Sequence, residues 1–318
     1  MRIMRFIKDW ILIFSILSGV AGYLCCRALH PSPVVRDFVV SGVETLQPLL
    51  IFFMLFITFC KVDPRHLRLC RYHWWLLAFQ CSVFVALGCL LLAMPDSGMR
   101  VVIEGAMICF ICPTATAGAV ITRKLGGNAS HIITYTILIN LFAALLIPTV
   151  VPFVHPNPLM TRWNAFALIL CKVFPLLLLP LLFAFLVRRF LPTFHRRITE
   201  LRDLAFYLWV VALALAMGVT TRYIVHSAIP LSVQLWLVAV SLASCVMQFW
   251  IGRKIGGHYD DKIAGGQSLG QKNTVLAIWL GYAFFSPITS VAGGFYSIWH
   301  NVINSYQVYR HERNGRTE

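Results

Sequence analysis

The sequence predicts an all-α, polytopic membrane protein with ten transmembrane helices. Hydrophobic residues make up 59% of the 318 residues, and the mean hydropathy is +0.76. Charged residues make up only 12%, which is about half their share in a typical water-soluble domain. A soluble fold of this length could not enclose so many apolar side chains. Because each span takes about 20 residues, ten spans would use roughly 200 and leave no room for a separate soluble domain.

Ten apolar runs, bounded by charges or by Pro and Gly clusters, define the predicted spans. They cover residues 10–29, 38–59, 73–94, 101–122, 129–153, 163–190, 203–221, 231–251, 268–285 and 287–309. The first run has the basic-then-apolar form of a signal peptide. No small-residue cleavage site is clear, so we interpret it as the first span.

The basic residues alternate in density between successive connections. With a cytoplasmic amino terminus, twenty of the 27 basic residues fall on the inside and five on the outside. The inside residues lie within 2–8, 61–71, 123–124, 188–202, 253–262 and 310–316. This asymmetry follows the positive-inside rule and predicts that both termini are cytoplasmic, in an inner or plasma membrane. Because the net charge of +15 is dispersed along the chain, it does not indicate nucleic-acid binding.

Most of the ten cysteines lie within apolar runs, where they serve as small hydrophobic residues. We therefore predict no disulfides and no metal site.

The ten spans divide into two groups of five, which predicts inverted repeats at residues 1–156 and 157–318. Inverted repeats are typical of secondary transporters. The fourth span of each half contains residues that interrupt a helix, at 112–118 and at 265–273. Broken helices are tolerated in a membrane where protein encloses them or where they line a cavity, so these segments predict a binding site. A simple proline kink and an ordinary loop remain the alternative.

At these segments the sequence resembles the bile acid:sodium symporter superfamily, as a divergent, bacterial-type member. The resemblance covers nearly the whole chain. It is carried by Cys112-Pro113-x-x-Thr116-Ala117, Gly127-Asn128, Gly270-x-x-Asn273, Ser297-Ile298-Trp299-His300-Asn301 and Val62-Asp63-Pro64-Arg65-x-Leu67-Arg68. It implies a panel and a core domain, crossing broken helices 4 and 9, and secondary transport of an organic anion, usually driven by sodium.

The family's two sodium sites, carried over residue by residue, are degraded in this chain. The acidic residue that serves both ions falls at Ser268, and the Ser-Asn pair falls at Gly118 and Ala119. The other equivalent positions are Gln80, Ile132, Thr136, Leu269, Gln271 and Lys272. At Lys272 the family has a glutamine. Because sodium requires several oxygen ligands and an ammonium repels it, the resemblance implies that two-sodium coupling is lost.

Lys272 is therefore expected to stand where a sodium ion would bind, held by Gln80, Ser268 or nearby carbonyls. If Lys272 stays protonated, the carrier is a facilitator or exchanger. If desolvation favours the neutral amine, Lys272 releases a proton in each cycle, and His131 could join the proton path. A structural hydrogen bond is the alternative role for His131. The alternative is that Lys272 extends to the cytoplasmic face.

The family's substrate contacts carry over to Thr116, Asn273 and Asn301. With two half-helix amino ends, these donors suit a small carboxylate. Bonds within the same helix, or between helices, are the alternative roles for Thr116 and Asn301. Glu104 is expected to form a surface pair with Arg100, one turn away.

Three other functions compete with this interpretation. An intramembrane enzyme would need a catalytic constellation, and the only adjacent aspartates, Asp260 and Asp261, fall in a charged loop. An ordinary sodium symporter and a transport-dead receptor on the same fold remain open. No cofactor is expected: sodium is disfavoured and a proton is the possible coupling ion. The expected partners are a small organic anion and the lipid bilayer, and the oligomeric state is undetermined.

Overall fold

A computed structural model describes residues 2–156, 158–201 and 203–314, and these residues form thirteen α-helices. The helices are α1 Arg2–Ala28, α2 Pro33–Cys60, α3 Arg71–Ala93, α4 Arg100–Ile111, α5 Gly118–Lys124, α6 Ala129–Val154, α7 Arg162–Phe190, α8 Pro192–Glu200, α9 Leu204–His226, α10 Leu231–Gly257, α11 Lys262–Gly270, α12 Thr274–Phe284 and α13 Ser290–Asn314. Within these residues the only β-structure is a single isolated bridge. The predicted all-α class is confirmed.

Seven of the described helices are long and apolar enough to cross a membrane. They are α1, α2, α3, α6, α7, α9 and α10. The chain is therefore a polytopic membrane protein. Predicted spans four and nine appear instead as pairs of short helices, α4 with α5 and α11 with α12, and the tenth is the more polar α13. Arg202 and Arg316, which the charge asymmetry places inside, lie outside the described residues.

The second interruption is shorter than the sequence indicates. Residues 265–270 are helical, and only 271–273 break the helix. Gly265 and Gly270 lie within the helix, where they allow close packing of neighbouring atoms, and do not form a loop. A Cβ on Gly265 would lie 2.5 Å from the carbonyl oxygen of Gly252, and one on Gly270 would lie 2.4 Å from the ring of Phe249. The predicted start of span nine at 268 is therefore wrong, because α11 begins at Lys262.

One compact unit consists of residues 1–61 and 179–228. Within it, α9 packs against both α1 and α2, and Gly19 lies directly against the carbonyl of Ala214. The amphipathic helix α8, which the sequence analysis did not predict, packs against α2. Its His195 side chain bonds the carbonyl oxygen of Cys60 at 2.8 Å.

The other compact unit consists of residues 62–178 and 229–318, and it holds both interrupted helices. Its closest helix pair is α10 with α11, which meet at Gly252, Gly256 and Gly265. Each of the two units takes residues from both sequence halves. All of the predicted site residues belong to the unit formed by residues 62–178 and 229–318.

Candidate functional site at the helix crossing

The two helix breaks lie against each other, and we call residues 112–117 and 271–273 the crossing. Thr114 and Lys272 form an antiparallel bridge. The backbone N–H of Ala115 donates to the carbonyl of Gln271 at 2.8 Å, and that of Asn273 donates to the carbonyl of Pro113 at 2.9 Å. Each break thus satisfies backbone groups of the other, as it must where water is excluded.

Side chains from other helices satisfy the last carbonyls of α4. Gln248 of α10 donates to the carbonyl of Cys109 at 3.1 Å, and Gln80 of α3 donates to that of Cys112 at 3.2 Å. Helices normally leave their last four carbonyls without partners inside the helix, and burial makes such groups costly. The broken end of α4 is therefore held in place by hydrogen bonds from α3 and α10.

The end of α11 is satisfied in the same way. The Thr114 hydroxyl donates to the carbonyl of Ser268 at 2.6 Å, and the Tyr296 hydroxyl of α13 donates to that of Gly270 at 2.9 Å. Both half-helices thus direct their carboxyl ends, with partial negative charge, into the crossing.

Lys272 lies at these two carboxyl ends. Its side chain is 1% exposed, and its ammonium donates to the carbonyl of Phe110, in the last turn of α4, at 3.3 Å. The expected bond to a nearby carbonyl is present, whereas Gln80 and Ser268 are not partners of the ammonium. Extension to the membrane surface is excluded by burial.

The positions equivalent to sodium ligands are mostly buried around the crossing. The Ser268 hydroxyl is buried and has no hydrogen-bond partner among the described residues. The Thr136 hydroxyl donates to its own helix at Ile132. A Cβ on Gly118 would meet the end of the Ile132 side chain at 2.7 Å, so a larger residue there would have to displace that side chain. Ile132 and Leu269 are fully buried, Ala119 is half-buried, and the Gln271 amide oxygen accepts from Asn304.

The three predicted substrate contacts lie on different parts of the crossing and of α13. Thr116 is half-buried within the first break. The Asn273 side-chain oxygen caps α12 by accepting from the N–H of Leu276 at 3.2 Å. Asn301 is half-buried, and its amide donates to the carbonyl of Ser297 at 2.7 Å, within the same helix.

A polar network that the sequence analysis missed connects α3, α6 and the start of α11. The Asp261 carboxylate accepts from the Tyr72 hydroxyl at 2.7 Å and lies 2.5 Å from the Nδ1 of His131. Deeper in the unit, the Tyr135 hydroxyl donates to the Gln80 side chain at 2.8 Å. His131 and Tyr135, spaced by four residues, share one face of α6, and this spacing could have indicated the network.

Glu104 is buried instead of lying at the surface. It pairs with Arg100 at 3.4 Å as predicted, but it also contacts the Nδ1 of His155 at 3.2 Å and accepts from the backbone N–H of Ser286 at 3.2 Å. Its side chain is 0% exposed. The three partners together compensate a carboxylate that could not be buried alone.

Among the described residues, no group of histidine, cysteine and acidic side chains is arranged to hold a metal ion. No curated protein matches the chain in a sequence search. A family model does match, over residues 17–298, and it describes the SBF-like CPA transporter family. The match confirms the resemblance to bile acid:sodium symporters and covers most of the chain, including both breaks. This membrane protein, with two interrupted helices paired at a buried lysine, belongs to the SBF-like CPA transporter family.

Proposed function

We propose that the protein is a secondary carrier for a small organic anion, in which the ammonium of Lys272 replaces the coupling sodium ions. In this proposal ten spans form two inverted five-helix repeats that operate by alternating access. The observation that carries the proposal is the burial of Lys272 at the carboxyl ends of α4 and α11. Membership of a transporter family supports carriage over catalysis.

The electrostatics of the crossing favour a fixed cation there. The carboxyl ends of two half-helices carry partial negative charge, which stabilises a positive group at this point. In the described part of the chain no carboxylate forms an ion pair with Lys272, so its charge is not neutralised by an acidic side chain. The ammonium therefore supplies the charge that a bound metal cation would otherwise bring.

The loss of oxygen ligands supports the same proposal. Gly118, Ala119 and Ile132 offer no side-chain oxygen, and the Thr136 hydroxyl is bonded to its own helix. A sodium ion needs several oxygens at short range, by analogy with calcium. A sodium ion beside the ammonium would also be repelled strongly, because the surroundings have a low dielectric constant.

The substrate is proposed to bind on the amino-terminal side of the breaks. The helix α12 begins at Thr274, immediately after the crossing, and the partial positive charge at its amino end favours an anion. Because the Asn273 oxygen caps α12, its amide nitrogen is the atom available to donate to a carboxylate. Thr116 and Asn301 would complete the set of neutral donors.

Thermal unfolding in sodium against choline tests the ion replacement. An ion that binds only the folded state stabilises it by mass action, by about 2.7 kcal/mol at a hundredfold excess over its Kd. We expect no sodium effect in the wild type and a sodium-dependent rise in the unfolding temperature of Lys272→Gln. Lys172→Gln, which changes an exposed lysine of α7, is the matched control and should behave as wild type. Sodium stabilisation of the wild type would contradict the proposal and favour an ordinary sodium symporter.

Flux into proteoliposomes tests transport itself. Radiolabelled taurocholate and pantoate serve as probes of a bulky and a compact carboxylate. We expect uptake of at least one probe at equal rates in sodium and in choline, and exchange with unlabelled probe on the other side. Binding of a probe without exchange would identify a receptor and overturn the proposed carrier.

A further inference from the structure

Four polar side chains form a continuous row where α3 packs on α6. The ring centroids of His131 and His73 are 6.0 Å apart, and the ring centroids of His73 and Tyr135 are also 6.0 Å apart. The Tyr135 hydroxyl then donates to Gln80 at 2.8 Å. His73 and Gln80 are two turns apart on one face of α3, as His131 and Tyr135 are one turn apart on α6. We call these four residues the α3–α6 polar row.

One end of the row reaches solvent. His131 contacts Asp261 at 2.5 Å, and their side chains are 17% and 13% exposed. The Tyr72 hydroxyl donates to the same carboxylate. This pair is thus a place where a proton can exchange with water.

The other end of the row reaches the crossing. Gln80 donates to the carbonyl of Cys112 in the first break. Lys272 donates to the carbonyl of Phe110, two residues earlier in the chain. The row therefore extends from the helix end that holds the buried ammonium to the partly exposed His131–Asp261 pair.

Packing alone does not explain the row. Its surroundings are apolar, with Leu76, Leu77 and Ile139 in the same buried cluster. His73 is 0% exposed, and its Nδ1 accepts from the backbone N–H of Cys70, so its proton lies on Nε2. That Nε2 has no partner among the described residues. A buried donor without a protein partner, next to other polar side chains, is the kind of group that an internal water satisfies.

The charged and titratable groups around His73 are few. Tyr72 and Cys70 flank it at the start of α3, His131 and Tyr135 face it from α6, and Asp261 precedes α11. Asp261 is the one carboxylate among them, and it lies at the solvent end. A proton leaving the interior would therefore be drawn towards that end.

We propose that the α3–α6 polar row conducts the coupled proton between Lys272 and the solution at the Asp261 end. The inference rests on the proposed function, and it identifies the route as well as the coupling ion. At the Gln80 end of the row the Lys272 ammonium gives its proton to water, and that water passes a proton to the Tyr135 hydroxyl oxygen. The hydroxyl turns away from Gln80 and passes its own proton to water held by His73 Nε2–H. That water passes a proton to the His131–Asp261 pair, from which it leaves to bulk water. The return half-cycle runs in reverse and restores the ammonium.

Net uptake and exchange separate this route from the carrier function. Exchange of labelled for unlabelled probe at equal pH needs no proton transfer, because the substrate-loaded carrier crosses in both directions. Net uptake driven by a pH gradient requires Lys272 to change protonation. In proteoliposomes with taurocholate and pantoate, we expect Tyr135→Phe and His73→Phe to lose at least tenfold in pH-driven net uptake. Both should keep exchange within about twofold of wild type.

Tyr23→Phe is the matched control, since it removes another tyrosine hydroxyl that contacts a histidine, His226 at 3.1 Å, in the other unit. It should retain both activities. Wild-type pH-driven uptake in Tyr135→Phe and His73→Phe would overturn the route, and so would an equal loss of exchange and net uptake. Wild type that exchanges a probe without responding to a pH gradient would also overturn it, while the carrier function stands. Wild type that exchanges neither probe would remove the proposed function itself.

Discussion

Buried charges in this protein are compensated by different means. Lys272 relies on a backbone carbonyl and on helix ends, whereas Glu104 relies on Arg100, His155 and a backbone N–H. The chain also contains a natural comparison. Arg100–Glu104 and Arg196–Glu200 have the same i,i+4 spacing, but the Glu104 side chain is 0% exposed and the Glu200 side chain is 67% exposed.

Removing the charge of Glu104 should therefore destabilise the fold. Glu104→Gln weakens charge-assisted hydrogen bonds and leaves Arg100 partly uncompensated, which should cost about 2 kcal/mol. Thermal unfolding in detergent measures the loss as a lower unfolding temperature. Glu200→Gln should leave that temperature unchanged, because exposed pairs contribute little. Equal effects of the two substitutions would show that the burial of Glu104 has no energetic consequence.

At the scale of elements, the helix breaks were partly predictable. Pro113, which lacks an N–H, marks the first break directly, and the structure has it at 112–117. The second break was predicted too long, because glycines at 265, 266 and 270 also serve close helix packing. Sequence spacing cannot distinguish a glycine that ends a helix from one that admits a neighbouring backbone. The pairing of the two breaks, and the contacts of Lys272, depend on long-range packing that no local pattern encodes.

The close packing of α10 on α11 should be sensitive to one methyl group. A Cβ on Gly252 would lie 2.4 Å from the carbonyl oxygen of Gly265, which is backbone and cannot move aside cheaply. We expect Gly252→Ala to destabilise the protein by about 1–3 kcal/mol through overpacking. Thermal unfolding of the purified variant measures this.

Gly42→Ala is the control, since a Cβ there has no neighbour within 4 Å. Replacing a helical glycine by alanine in open space should stabilise by about 0.5–1 kcal/mol. Substitutions that shift the unfolding temperature in the same direction would contradict the packing argument.

At the scale of the whole molecule, charge asymmetry predicts which connections face the cytoplasm. The twenty-to-five distribution of basic residues depends on the span count, because one helix more or fewer would reverse every later connection. Leu159, in the connection between α6 and α7, is 90% exposed and is predicted to lie outside. Glu200, at the end of α8, is exposed and predicted to lie inside.

Thiol labelling of intact cells tests this topology. A membrane-impermeant maleimide should label Leu159→Cys well above the background of the native cysteines. Glu200→Cys should be labelled only after the membrane is permeabilised. The reversed pattern would place the termini outside, and labelling of both positions in intact cells would disprove the ten-span count.

The pairing of the two breaks also has a consequence for biosynthesis. Cys112 and Asn273, which bond across the crossing, are 161 residues apart in the chain. At about 5–20 residues per second, the ribosome needs roughly 8–32 seconds to make the second segment after the first. During that interval the first broken helix enters the membrane with its backbone partners not yet made. The nascent first half should therefore remain shielded by the insertion machinery, and a chain truncated before the second break should be degraded by quality-control proteases.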